Sequence, residues 1–289
     1  MMHVRYKLRE AKGLITPKGP SFSSAKTVAC DIDGTVIKFK APKHRPRYSN
    51  HEPVLPKRAY KLDDMFFRST YSEGFNVSDN WEAYELFHHT WAFYGPWFTG
   101  SLAELAMFCG LLRPINNKNN DFSLFHPRAF ENFVGDYLTH NYSTRRNELM
   151  NNRHEYIAPV NWQPLTGFPV VATRLELRPD IEVARHRVEY FVFFPIADKV
   201  MARIQFSPSQ FLALSQEELD KRVNRSSMLE LMENIINSIQ IELSPQALAQ
   251  QKSALAGLDD ASLIKEFPPL NWQANTAQQD DFKGLENNT

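Results

Sequence analysis

Residues Lys26–Lys40 read KTVACDIDGTVIKFK, and the way this stretch turns decides the fold of the N-terminal half. Asp33-Gly34 sits between two alternating runs. That dipeptide favours a two-residue hairpin loop, because a type I′ turn needs φ > 0 at both central residues. With the turn placed there, Ile32 faces Thr35, Cys30 faces Ile37 and Val28 faces Phe39, all on one face and nearly all apolar. The other face carries Ala29, Asp31, Val36, Lys38 and Lys40 and is mostly polar. Cross-strand agreement of this kind fixes a register, since a slip of one residue would send the apolar set to solvent. A Pro- and Lys-rich loop follows, where a buried parallel strand would feed a helix.

The string VACDIDGTVI also resembles the first motif of the haloacid-dehalogenase-like phosphohydrolases, in which an apolar strand ends in D-x-D-G-T. The resemblance implies Asp31 as nucleophile and Asp33 as general acid/base, with Mg²⁺ between them. Paired acids suit phosphoryl transfer because one attacks, the other shuttles a proton and a cation screens the phosphate. The family's later motifs do not follow. It wants an apolar strand ending in Ser or Thr, then a Lys, then a strand ending in an acidic pair. Asp63-Asp64 follows only Tyr-Lys-Leu, Asp259-Asp260 follows Ala-Gly-Leu, and Gly135-Asp136 lies inside a helical pattern. The hairpin is therefore the leading reading, and the Mg²⁺-dependent phosphohydrolase is the alternative.

At 289 residues, with 43% hydrophobic and 12% aromatic content, the chain can bury a sizeable core. Its formal net charge of +0 gives no global field to recruit nucleic acid or membrane. Locally, residues 1–60 hold 13 Lys/Arg against four Asp/Glu, while residues 242–289 are net acidic. Cys30 and Cys109 sit in apolar contexts and are expected to be buried free thiols in a reducing compartment. The N-terminal MMHVRYKLREAKG lacks a signal peptide's apolar core, and no window reaches 18 uncharged apolar residues, so a cytoplasmic location is expected. No zinc spacing, nucleophile elbow or phosphate loop occurs, and His88-His89 are adjacent, so no metal or other cofactor is expected.

Along the chain, 41–60 reads as a loop. Tyr84, Phe87, His88, Trp91 and Tyr94 share helical spacing, which predicts an aromatic helix stopped by Gly95-Pro96. Ser101 and Glu104 read as a capping box for a buried helix over 101–112. Another helix is predicted from Pro127, with Phe130, Phe133, Val134, Tyr137 and Leu138 on its apolar face. Residues 143–168 read as polar, then turn-like. Alternation over 171–177, 187–194 and 200–206 predicts an antiparallel meander with a turn at Pro195–Asp198. A helix over 226–241 would cover it and end at Ser244-Pro245, with one more helix within 245–264 and a loose tail from 268. PVNWQ at 159–163 recurs as PLNWQ at 269–273, which would let two Trp residues fill similar pockets and dock the tail. The expected class is α+β: an antiparallel sheet made of the N-terminal hairpin and the C-terminal meander, packed by several helices. Residues 1–150 carry the hairpin and aromatic helical region, 151–245 the meander and long helix, and 246–289 a helix and tail. These can pack as separate units or all as one domain.

A meander followed by the helical phrase MLELMENIINSI at 228–239 resembles the C-terminal half of immunity and accessory proteins encoded beside type VI secretion effectors. The resemblance covers about 70 residues and rests on apolar spacing. It implies a protein-binding inhibitor that occludes a cognate bacterial toxin and uses no cofactor. It carries over no site residues. Interface anchors are typically central aromatic and charged side chains. The candidates are Trp91, Tyr94, Trp97 and Phe98 around Gly95-Pro96, with Lys43, Arg45 and Arg47 in the basic loop. An adaptor subunit of a secretion machine is the third reading.

Overall fold

The computed structural model describes residues 13–43, 53–57, 59–65, 81–96, 100–115, 122–143, 145–147, 153–180, 188–211 and 216–266. Strands β1 (Lys26–Ile32) and β2 (Thr35–Ala41) form the expected hairpin, with Ile32↔Thr35, Cys30↔Ile37 and Val28↔Phe39 as partners. Asp33 (φ 47) and Gly34 (φ 80) supply the left-handed pair that the tight turn needs. Asp31 Oδ1 accepts from the Gly34 N–H at 2.9 Å and braces the turn from inside. Cys30, Ile32, Ile37 and Phe39 are buried, so the apolar face points inward as its alternation predicts.

A second, larger sheet holds most of the remaining strands. These are β3 (Trp81–Tyr94), β4 (Ser101–Pro114), β7 (Val160–Pro164), β8 (Thr173–Leu177), β9 (Glu189–Ala197) and β10 (Val200–Gln210). A two-residue ladder, β5 (Arg146–Asn147) with β6 (Arg153–His154), lies apart from it. The sheet order is β3-β4-β10-β9-β8-β7, antiparallel throughout. The β8-β9-β10 meander is as expected. Its turn is Asp198-Lys199, because Pro195 stays inside β9 opposite Met201, where the register shifts. A bulge tolerates a residue that cannot donate to the ladder. Part of the stretch read as turn-like, 143–168, is the edge strand β7.

The two helices expected over 84–94 and 101–112 are instead the long hairpin β3–β4. The aromatic spacing misled because β3 carries a bulge between Glu85 and Phe87. Before it, Tyr84 packs with the core on one face of the sheet. After it, Phe87, Trp91 and Phe93 occupy that same face. The extra residue turns a period of two into a step of three, which mimics a helix. His88 lies on the opposite face, stacked on Phe108 with ring centroids 4.1 Å apart. Ser101 caps no helix, since it opens β4.

Four α-helices are described: α1 (Pro127–Leu138), α2 (Gln216–Arg222), α3 (Ser226–Ile236) and α4 (Pro245–Leu255). Helix α3 stops five residues short of the expected 241. The reason is β11 (Gln240–Glu242), which pairs with β2 and completes a three-stranded sheet, with Ile241 opposite Ile37. Ser244 begins α4 rather than ending α3: its hydroxyl accepts from Ala247 N–H at 3.2 Å, with Pro245 in the first turn. After α4, the chain turns at Ala256-Gly257 and runs on to Ile264 without further helix. Trp162 Nε1 donates to Ile264 O (2.8 Å), and Ile264 N–H donates to Glu131 Oε1 (2.7 Å). The second copy of the NWQ repeat, at 269–273, lies outside the described residues.

Both faces of the large sheet are buried. On one, Met228, Leu231, Met232, Ile235 and Ile236 of α3 share a core with the three-stranded sheet and with Phe87, Trp91, Met107, Phe194 and Ile204. Each such side chain contributes roughly 1.5–3 kcal/mol by burial. On the other face, Phe130, Val134, Tyr137 and Leu138 of α1 pack on Trp81, Leu112, Phe191 and Met201. Because β3–β4 and the meander share one sheet, residues on either side of position 150 build a common core. No helix among the described residues is long and apolar enough to cross a membrane.

Candidate docking cleft

Three of the sequence-chosen anchors meet at the far end of β3. The segment before β1 runs along this end: Lys18 N–H donates to Tyr94 O (2.8 Å) and Tyr94 N–H donates to Lys18 O (2.9 Å). Gly19 then lies flat on the Phe93 ring, where a Cβ would sit 2.2 Å from Cε1. Only a residue without a side chain brings the backbone this close. Trp91 Nε1 donates to Pro42 O at 3.0 Å and draws the end of the β1–β2 hairpin onto β3. Between these fixed walls is a cleft of about 350 Å³ lined by Lys18, Pro20, Ser21, Ser24, Lys43, Trp91 and Tyr94.

The two lysines are exposed, and neither ammonium meets a carboxylate among the described residues. Tyr94 is half-buried, and Trp91 is only 1% exposed, so the indole forms the wall of the cleft rather than a projecting anchor. Ser24 Oγ donates to Ser21 O (2.8 Å), which steadies the short 3₁₀ turn Phe22–Ser24 on the cleft's rim. Trp97, Phe98, Arg45 and Arg47, the other expected anchors, lie outside the described residues. Sequence reading missed Lys18, Ser21 and Ser24. The signal was present: a Lys followed by Gly-Pro and a Ser cluster marks a turn beside a charge, though nothing local says which strand it meets.

Asp31 and Asp33 are engaged elsewhere. Asp31 Oδ1 is the turn's acceptor, and Asp33 Oδ2 accepts from Leu62 N–H at 3.0 Å. Tyr60 clamps the same corner, accepting from Asp33 N–H (2.9 Å) and donating to Asp31 O (2.8 Å). The strand that carries Asp31 is the outer strand of an antiparallel sheet, whereas the phosphohydrolase resemblance implies a central parallel one. Among the described residues no three His, Cys, Asp or Glu side chains gather as a metal site.

Two other polar regions find partners within the protein. A cleft of about 410 Å³ runs between α3 and β7–β8, but its Arg174 is held by both Glu233 oxygens (2.8 Å each) and by Gln163 Oε1 (2.6 Å). In the interior, Arg203 is fully buried and donates to the Tyr137 hydroxyl, while Glu189 accepts from Gln205 (3.0 Å) and from Ser207. Burial pushes the neighbouring Tyr142 phenol well up, which keeps it neutral. The β3-end cleft differs from both in presenting positive charge beside aromatic residues with no acidic partner among the described lining residues. No protein-family model, curated protein or solved structure matches this chain.

Proposed function

We propose that this chain is a cytoplasmic protein-binding inhibitor that occludes a cognate bacterial toxin, the partner class implied by the resemblance of the C-terminal meander and the helix at 228–239 to type VI secretion immunity and accessory proteins. The Lys18–Lys43–Trp91–Tyr94 cleft is its docking surface. One observation carries the reading: aromatic and lysine side chains from three separate stretches of chain converge on one cleft whose walls are held by the Lys18–Tyr94 backbone pair and by the Trp91 indole N–H on Pro42 O. A wall fixed before binding loses little entropy on association, which suits a tight inhibitor. The phosphohydrolase alternative loses support because both its carboxylates accept backbone N–H groups of the hairpin corner.

The test is co-expression with the product of the neighbouring gene, followed by purification of the complex. A 1:1 complex and survival of the expressing cells are expected. A gene product that neither binds nor becomes harmless overturns the proposal. Stable capture of several components of a secretion machine would instead support an adaptor.

A further inference from the structure

We infer that the element received by this cleft is an acidic side-chain-presenting segment of a protein, rather than an added β-strand. The inference rests on the docking reading above and names the chemistry of the occupant. Strand addition at this point of β3 is excluded by the protein itself, because Lys18 already takes both the N–H and the C=O of Tyr94. Recognition therefore runs through side chains. The groups that an occupant can reach are two exposed ammonium ions and the half-buried Tyr94 ring, while the Ser21 and Ser24 hydroxyls are engaged in their own turn. Two ammonium ions with no carboxylate among the described lining residues complement Asp or Glu, and the half-buried Tyr94 ring offers apolar surface beside them. Opposite charges across an interface set orientation and speed encounter, and exposed ones do so in a salt-dependent way. Lysines are single-point donors and do not demand the planar, bidentate geometry that arginine imposes, so carboxylates spaced along a flexible segment suffice.

The experiment titrates the full chain with a short fluorescein-labelled peptide of alternating Asp, Glu and Leu, read by anisotropy. A ten-nucleotide poly-thymidine strand serves as the competing polyanion. Binding of the peptide is expected to weaken about tenfold or more in the Lys18→Glu/Lys43→Glu double variant, and to weaken with added salt. The Lys18→Gln/Lys43→Gln pair should give an intermediate loss, and Lys252→Glu, on the exposed side of α4, no loss. All three variants change exposed side chains, and an unshifted unfolding midpoint checks that they fold. Equal peptide binding by the double reversal overturns the inference, as does tighter lysine-dependent binding of the thymidine strand than of the peptide. The two readings fail separately. A toxin complex untouched by the double reversal sinks this inference and the cleft as docking surface but leaves the inhibitor reading, whereas peptide binding without any toxin complex sinks the inhibitor reading alone.

Discussion

The chain contains two hairpins that teach opposite lessons. In β1–β2 the turn dipeptide, the alternation and the final register all agree, with one face buried and the other solvated. In β3–β4 two 14-residue strands are buried on both faces, and each reads as a helix. Burial on both sides erases the period of two, and the Glu85/Phe87 bulge then adds a step of three. Strand β4, SLAELAMFCGLLRP, has no β-branched residue at all, and its Leu, Ala, Glu and Met favour helices in isolation. It is a strand because β3 and β10 flank it and because both of its faces find cores. One hairpin is thus specified locally and the other by its surroundings.

If that contrast is right, the most damaging substitution lies in β3. Trp91→Ala should cost about 3–5 kcal/mol, read as a lowered denaturation midpoint, because it empties a buried site and frees Pro42 O. Trp91→Phe should recover much of the packing and not the hydrogen bond. Gly19→Ala comes next, at about 1–3 kcal/mol, because the Phe93 ring beneath it is itself buried and cannot easily yield. Gly34→Ala in the local hairpin should cost less, about 1–2 kcal/mol, since it asks only that an alanine adopt φ +80. Were Gly34→Ala to match Trp91→Ala, the local turn would be as decisive as the buried hairpin and the comparison would collapse.

How much the sequence discloses follows the same line. The β1–β2 register, the meander and helix α1 from Pro127 are legible because each shows one clean period and a turn or cap signal. The end of α3 is not, because Ile239 and Ile241 continue the apolar rhythm while Gln240–Glu242 find strand partners far back along the chain, at Lys38, Ile37 and Val36 of β2. The cleft was half legible. Trp91, Tyr94 and Lys43 stand out as an aromatic cluster and a basic loop, but Lys18 joins them only through the Tyr94 ladder. Asp31 and Asp33 show the reverse error available to sequence reading: a motif can be spelled correctly and still be a turn.

The two thiols extend the comparison, one on each sheet. Burial pushes the Cys30 thiol up to about 12 and Cys109 well above its ordinary value. A folded-state pKa above the unfolded value of 9.0 adds stability below pH 9 that is lost as pH rises toward 12. Cys30 alone should therefore remove about 1 kcal/mol by pH 10, measured by denaturant titration at several pH values. A thiol reagent should label both residues only at the rate of unfolding. Faster labelling of Cys30 than of Cys109 would mean that the small sheet opens by itself, sharpening the distinction between the locally and globally specified regions.

The smallest effect is expected at the residues that first drew attention. Asp31→Asn keeps a side-chain carbonyl where Oδ1 accepts the Gly34 N–H. Asp33→Asn leaves Asn-Gly at a turn where both residues have φ > 0, which that pair favours. Together they should move stability by no more than about 0.5 kcal/mol and leave partner affinity unchanged. Asp33→Ala is the contrasting control. It removes the acceptor for Leu62 N–H and places a residue with no local hydrogen bond in the left-handed region, so about 1–2 kcal/mol should go. The paired outcome separates turn from catalyst, because a carboxylate that attacks phosphorus cannot be replaced by an amide, whereas one that accepts an N–H can. Mg²⁺-dependent release of phosphate from an aryl phosphate by the native chain, lost in Asp31→Asn at unchanged stability, would give Asp31 a role beyond the hairpin and overturn the structural assignment made for it.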